Sequence, residues 1–227
     1  MIDKEEMNNM FKETKRLIKD KIMAQNRENA MCLAVLETAH NYCNSILLLL
    51  SQNYFMPARA LVRCLFEHMV KFMWCLQCPD YADQQECSQI VDEKINRWEK
   101  STLSENIRTL EDLKNALPEH VQQIESDMVE LKKAKKNIEV KEMPDYKCLL
   151  NKLPPEIKNK VSPRFYKKMN NAVHLDVNSM NKIYLLGDED SKIINHHISE
   201  LEEMSLFLVK NINNVIRLNY GCCINKD

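Results

Sequence analysis

CLAVLETAHNYCNSILLLL, residues 32–50, is the most apolar stretch of this chain, and it decides the fold. Its polar residues are isolated from one another, which is typical of a helix that is buried on most of its sides. Because these polar residues interrupt it, the stretch does not provide the roughly 20 apolar residues that span a bilayer. The sequence therefore predicts a core helix over residues 28–51 and no membrane association.

Helical patterns continue on both sides of this core helix. Pro57 suits the first turn of a second core helix over residues 57–77, because a proline lacks the amide proton that would be unsatisfied there. Apolar residues recur at three- and four-residue steps over residues 3–25, 163–180 and 191–220. The last of these ranges predicts a long C-terminal helix.

Composition supports helices throughout the chain. Gly187 and Gly221 are its only glycines, whereas β-sheet proteins need glycine in many turns and bulges. Hydrophobic residues make up 44% of the chain and charged residues 29%, a mixture that suits amphipathic helices with solvated outer faces. We predict an all-α fold, an antiparallel helical bundle formed by a single domain over residues 1–227.

Residues 81–140 are more charged than the rest, and we expect them to form a flanking or protruding helical hairpin. Thr102 and Glu105 have the spacing of a capping box, in which two side chains satisfy free backbone amides at the start of a helix. This spacing predicts a break near residue 101. Pro118 predicts a second break, near residue 117.

Charge and cysteine content restrict the kind of partner and compartment. The formal charge of −1 produces no global field that would attract nucleic acid, so any such binding needs a local basic patch. Nine cysteines are an odd number, and several lie in apolar helical stretches, which favours reduced thiols. The charged N-terminal stretch does not resemble a signal peptide. We therefore expect a cytoplasmic protein.

The segment ARALVRCLFEHMVK, residues 58–71, carries the main candidate site. Arg63 and Glu67 are four residues apart, so on a helix they lie on one edge and can form an ion pair. His68 lies about 140° away from Arg63 around the same helix. The two side chains can form a joint site only if both edges of the helix line one groove, or if a second subunit takes part.

The spacing of Arg63 and His68 resembles the Arg-x4-His pattern of HEPN-type ribonucleases, which are helical, usually dimeric and common in bacterial phage-defence and toxin–antitoxin systems. That resemblance implies a homodimer that cleaves RNA without a metal ion. His68 would act as the general acid or base, and Arg63 would stabilise charge on the phosphate. Glu67 and His174 would support them.

A second resemblance covers residues 30–215 and is to a family of uncharacterised helical bacterial proteins. In that family an early helix reads Ala-x2-Leu-x-Arg-x3-Glu, which the chain matches from Ala58 to Glu67. A later helix carries Val-His, which the chain matches at Val173 and His174. This resemblance implies a helical fold and no particular reaction.

Two further sets of polar residues complete the candidate site. Glu37 and His40 lie on the apolar core helix and need partners when buried, and Arg63 is the expected partner of Glu37. Asn170 and Asn171, with His174, form a polar cluster that would close a pocket over Arg63 if the two helices pack together. The alternative for His174 is a histidine that is hydrogen-bonded in the core.

Metal and cofactor sites are not expected. Cys75 and Cys78 have the spacing of half a zinc site, but no second cysteine or histidine pair with suitable spacing follows. His196 and His197 are adjacent and point in different directions on a helix. With two glycines in the chain, most loops that cradle the phosphates of a nucleotide cofactor are excluded as well.

Two functions from different classes follow from these residues. The first is a HEPN-like, metal-independent ribonuclease of bacterial defence or toxin–antitoxin systems, acting on RNA as a homodimer. The second is a non-catalytic interaction or regulatory module, with a partner protein from the same operon, in which Arg63, Glu67 and their polar neighbours form a structural or ligand-binding core. In the second interpretation the Arg63–Glu67 pair fixes helix packing, and His68 lies on a solvated margin.

Overall fold

The computed structural model describes residues 4–21, 27–79, 82–160 and 191–221. Every regular element in these residues is helical, so the prediction of an all-α helical bundle is confirmed. The α-helices are numbered here in chain order among the described residues. They are α1 (Lys4–Lys21), α2 (Arg27–Ser51), α3 (Phe55–Leu76), α4 (Gln84–Ala116), α5 (Val121–Lys136), α6 (Tyr146–Asn151), α7 (Pro155–Lys160) and α8 (Ser191–Gly221).

Backbone hydrogen bonds at the end of α2 reverse the chain into α3. Asn53 has a φ of 60°, in the left-handed region that asparagine tolerates better than most residues. The Tyr54 amide donates to the Leu49 carbonyl and the Asn53 amide donates to the Leu50 carbonyl, the pattern of a Schellman motif. These bonds satisfy carbonyls at the helix end, and α3 begins two residues after Asn53 with Pro57 in its first turn, as predicted.

The core of the bundle comes from the apolar faces of several helices. Helices α1, α2 and α8 pack on one another. Among the largest fully buried side chains of these helices and α3 are Ile18, Leu36, Ile46, Phe66, Met69 and Leu208. Helix α3 is buried around most of its circumference near its end, where every residue from Phe72 to Leu76 is buried. The C-terminal end of α3 therefore lies in apolar surroundings.

The described residues separate into two compact units. One contains the residues up to Met73 and those from Leu150 onward, and the other consists of Trp74–Leu149. In the second unit α4 packs on α5, which confirms a helical hairpin within residues 81–140. A small cluster of Ile107, Ile124 and Met128 joins those two helices. That residues 1–227 form a single domain stays a prediction.

The first break predicted in this hairpin is wrong, because α4 runs unbroken past residue 101 and ends at Ala116. The Thr102 hydroxyl donates to the Trp98 carbonyl at 3.1 Å, a bond within the helix rather than a cap. The capping box is instead formed by Asp83 and Glu86, each of which bonds the other's backbone amide. The second break, before Pro118, is confirmed by a short 3-10 helix over Pro118–His120.

Elsewhere, the observed helix ends lie within a few residues of those predicted from the sequence. The C-terminal helix predicted over residues 191–220 is observed as α8. The short helix α7 lies where no helix was predicted, and its first residue, Pro155, is well suited to a helix start. The helix predicted over residues 163–180 lies outside the described residues.

Candidate functional site

Arg63 and Glu67 form the predicted ion pair on α3. The Arg63 Nε donates to Glu67 Oε1 at 2.8 Å, one helical turn further along. The two side chains are 21% and 29% exposed, so the pair is half-buried and less screened than a surface pair. Burial of this degree makes the loss of either partner costly, because the other charge would remain in a partly desolvated position.

Glu37 does not pair with Arg63, so that prediction is wrong. Its carboxylate contacts the Lys15 Nζ on α1 at 2.6 Å. The reason is tertiary, because α1 packs against α2 and brings a lysine to the carboxylate. Glu37 therefore has a charged partner on another helix, although its side chain is 44% exposed rather than buried as expected.

His68 is held by its own helix and by α2. Its Nδ1 lies 2.7 Å from the Cys64 carbonyl oxygen, which can only accept, so Nδ1 carries the proton in the neutral ring. The rings of His68 and Tyr42 pack edge to face, with their centroids 5.7 Å apart. The Nε2 atom is then the proton-accepting nitrogen of the neutral imidazole. Sequence reasoning missed Tyr42, whose only signal is an aromatic residue on the polar margin of the core helix.

Burial favours the neutral forms of the two weak acids beside His68. It raises the pKa of the Cys64 thiol, and the Glu67 carboxylate raises it further, against a smaller opposing effect of Arg63. Burial likewise raises the pKa of the Tyr42 phenol, with a second contribution from Cys64. A reactive thiolate requires a lowered pKa, so this cluster is not arranged as a cysteine nucleophile.

His40 belongs to a separate contact, between α1 and α2. Its ring stacks on Phe11 with centroids 4.0 Å apart and an angle of 12° between the ring planes. Burial lowers the pKa of His40, and the positive charge of Lys15 lowers it further. The buried Nδ1 of His40 has no hydrogen-bond partner among the described residues. His40 thus serves the packing of α1 and does not join Arg63.

Three predicted site residues, Asn170, Asn171 and His174, lie outside the described residues. The predicted pocket over Arg63 and Glu67 therefore stays a prediction.

Arg59 is a site residue that sequence reasoning missed. It lies on α3 one helical turn before Arg63, and it is partly buried. Its Nε is buried without a hydrogen-bond partner in the described part of the chain. Burial lowers the pKa of Arg59, and the negative charge of Glu200 on α8 opposes this effect. The available signal was the four-residue spacing of Arg59, Arg63 and Glu67, which places all three on one edge of the helix.

These residues divide into two groups around α3. Arg59, Arg63 and Glu67 follow one edge, whereas His68 lies about 140° from Arg63 and is held against Tyr42. Arg63 and His68 therefore do not converge on one point within the chain. The arginine edge is suited to binding an anion, and the histidine side could accept a proton from a group brought to its Nε2.

Neither metal ligation nor a membrane span is found in the described residues. No group of three or more histidine, cysteine, aspartate or glutamate side chains there is placed to hold a metal ion. Cys75, half of the spacing considered for zinc, is buried, which raises the pKa of its thiol to about 12. None of the described helices is both long and apolar enough to cross a bilayer.

Comparison with known proteins identifies a family and no reaction. No curated protein and no solved structure is significantly similar to the chain. A family model described as a family of unknown function, DUF5677, matches residues 29–193. This match confirms the resemblance to an uncharacterised helical family, and it gives no support to a HEPN relationship. Because the match covers more than half of the sequence, the chain belongs to the DUF5677 family.

Proposed function

We propose that the chain is a non-catalytic helical module that binds a ligand at the polar edge of α3 and acts in the cytoplasm with a protein from the same operon. One observation carries this proposal. The Arg63 Nε donates to Glu67 at 2.8 Å on its own helix. His68 lies on a different side of that helix, and its Nδ1 is hydrogen-bonded to the Cys64 carbonyl. The two residues that a nuclease would need together are separated within one chain.

Electrostatics around the edge also favours binding over catalysis. The pKa values of Cys64 and Tyr42 are both raised, so neither is prepared as a nucleophile or base near neutral pH. Arg63 and Glu67 are pre-organised by their mutual bond, which reduces the entropy lost when a ligand contacts them. A rigid, half-buried pair of this kind suits recognition of a charged group.

The second candidate is a HEPN-like ribonuclease of phage defence or toxin–antitoxin systems, and the geometry of His68 favours it. Its Nδ1 is fixed by the Cys64 carbonyl, which leaves Nε2 as the basic nitrogen. A base positioned in this way could deprotonate a ribose hydroxyl. Cleavage would still require Arg63 from a second subunit beside His68, so this candidate depends on a homodimer that binds RNA.

A cleavage assay separates the two candidates. Wild type, Arg63→Ala and His68→Ala are incubated with RNA in excess chelator and are also expressed in growing cells. The non-catalytic module predicts equal, background-level cleavage and equal growth for all three proteins. Arg108→Ala, which changes an exposed arginine on α4, serves as the purification control, because a contaminating nuclease would affect it equally.

Chelator-resistant cleavage that is present in wild type and Arg108→Ala, and lost in both site variants, would overturn the proposal in favour of the ribonuclease. Circular dichroism of each variant must show intact helices for the comparison to count. Sedimentation of the wild type then tests the homodimer on which the ribonuclease depends.

A further inference from the structure

Arg59 is an anomaly in the described structure. Its side chain is partly buried on α3, yet the Nε of its guanidinium is buried without a hydrogen-bond partner among the described residues. Arginine carries five donors that cannot be deprotonated, and burying them without acceptors is unfavourable. A side chain of this kind normally has an anion beside it.

Glu200 does not fill that role. It lies near enough for its charge to act on Arg59, but it does not accept a hydrogen bond from the buried Arg59 Nε. By contrast, the Arg63 Nε on the next helical turn does have a carboxylate acceptor, on Glu67. The two arginines on the same edge therefore differ, because one is engaged by a carboxylate of its own helix and the other is left with a buried, unsatisfied Nε.

We propose that Arg59 and Arg63 together bind a phosphate group on the edge of α3, which names the ligand class of the binding module and rests on that proposed function. Residues four apart on a helix have Cβ atoms roughly 5–6 Å apart, so both guanidinium groups can reach one bound anion. Phosphate and guanidinium form parallel, charge-assisted hydrogen bonds.

A phosphate suits this edge better than a carboxylate does. A carboxylate has two oxygens, and one guanidinium fork can occupy both of them. A tetrahedral phosphate has further oxygens and more charge, so it can accept from two forks at once. Since Glu67 and Glu200 both reduce the local positive charge, we expect inorganic phosphate alone to bind weakly.

Thermal unfolding with added inorganic phosphate is the first test. Phosphate stabilises most proteins by exclusion from their surface, so the measurement is the difference in the rise of Tm between variants. We expect a larger rise for wild type and for Arg108→Gln than for Arg59→Gln and Arg63→Gln. Isothermal titration of phosphate into Arg59→Lys should show about tenfold weaker binding than wild type, because the charge is kept and the fork is lost.

Loss of phosphate binding can be distinguished from loss of the fold in a variant. The Arg59 Nε is buried without a hydrogen-bond partner in the described residues, so we expect Arg59→Gln to be about as stable as wild type without phosphate. Removing Arg63, which has a partner, should lower stability instead. A stable Arg59→Gln whose Tm rises less with phosphate than that of wild type has therefore lost binding and not its fold.

The source of the phosphate is tested with adenosine monophosphate and with a short RNA that has no terminal phosphate. An Arg59-dependent response to the nucleotide alone indicates a phosphate monoester, and a response to the RNA indicates a diester. Equal rises of Tm in all variants for all three phosphate sources would overturn the inference. That failure is distinct from failure of the non-catalytic module, which is detected by RNA cleavage.

Discussion

Helix α3 and the α4–α5 hairpin use charged residues in opposite ways. In the hairpin, Lys132 and Glu111 lie 3.6 Å apart with both side chains more than half exposed. On α3, Arg63 and Glu67 are 21% and 29% exposed and 2.8 Å apart. Water screens the charges of the first pair strongly and those of the second pair much less. The difference indicates that exposed charges such as Lys132 and Glu111 keep the hairpin solvated, whereas the half-buried pair on α3 depends on its partner, which is why we place binding there.

The largest expected difference between the regions lies in their apolar residues. Phe66 on α3 is 1% exposed, and Phe66→Ala should lower the free energy of unfolding by about 3–5 kcal/mol, through lost burial and a cavity. Val129 on α5 is 66% exposed, and Val129→Ala should change it by about 0.5 kcal/mol or less. Urea unfolding followed by circular dichroism measures both. Similar losses would contradict the burial assigned to the two helices.

A lysine in the second unit should give the next largest effect. The Lys94 Nζ donates to the Trp74 carbonyl at 3.0 Å and to the Gln77 carbonyl, and it lies over the Trp74 ring. Lys94→Met should cost about 1–3 kcal/mol, because the carbonyls at the end of α3 lose a charged donor. Tryptophan fluorescence reports the change, since Trp74 and Trp98, the only tryptophans, both belong to this unit. Lys133→Met, at an exposed lysine of α5, should have no comparable effect.

The two ion pairs allow a direct comparison of charges. Arg63→Gln should destabilise the protein by about 1 kcal/mol, because a half-buried partner is left behind. Lys132→Gln should cost about 0.3 kcal/mol, and added salt should reduce this further. Chemical unfolding at low and high salt measures both. If Lys132→Gln proves as costly as Arg63→Gln, the contrast between the regions fails.

The smallest expected effect is a dependence of stability on pH. The folded-state pKa of His40 is lowered below 6.5 by burial and by Lys15, so the unfolded chain binds a proton more readily there. This contribution to stability is present above pH 6.5 and is lost as the pH falls toward the folded-state pKa. His40→Phe keeps a ring on Phe11 and should remove this part of the pH dependence.

Thermal unfolding between pH 5 and pH 7.5 supplies the measurement. His120→Phe is the control, because His120 is exposed and its substitution should leave the slope unchanged. An unchanged slope in His40→Phe would show that other groups cause the pH dependence.

Local patterns predicted most of the fold. The apolar run of residues 32–50 predicted α2, and the periodicity over residues 191–220 predicted α8, because a helix that buries one face must repeat apolar residues at helical spacing. Caps were harder to predict. Thr102 and Glu105 have capping spacing but lie inside α4, where nothing stops the helix. Asp83 and Glu86 have the same spacing and follow Pro79, which ends the preceding segment.

The candidate site was predicted less completely. The Arg63–Glu67 pair depends on four-residue spacing within one helix, so the sequence could predict it. The partner of Glu37 and the contact between Tyr42 and His68 join different helices, and helical periodicity does not say which face meets which neighbour. Spacing places Arg59 on the same edge as Arg63, but it cannot reveal that the Arg59 Nε is buried without a hydrogen-bond partner in the described residues.

The sequence alone determined that this chain forms helices, where most of them begin and end, and that Arg63 and Glu67 share an edge, because all of these depend on interactions between residues a few positions apart. Tertiary structure alone decided which helix supplies Lys15 to Glu37, which ring packs against His68, and which arginine has a buried Nε without an acceptor. Those outcomes depend on how helices distant in sequence pack together, and burial and desolvation are set only by that packing.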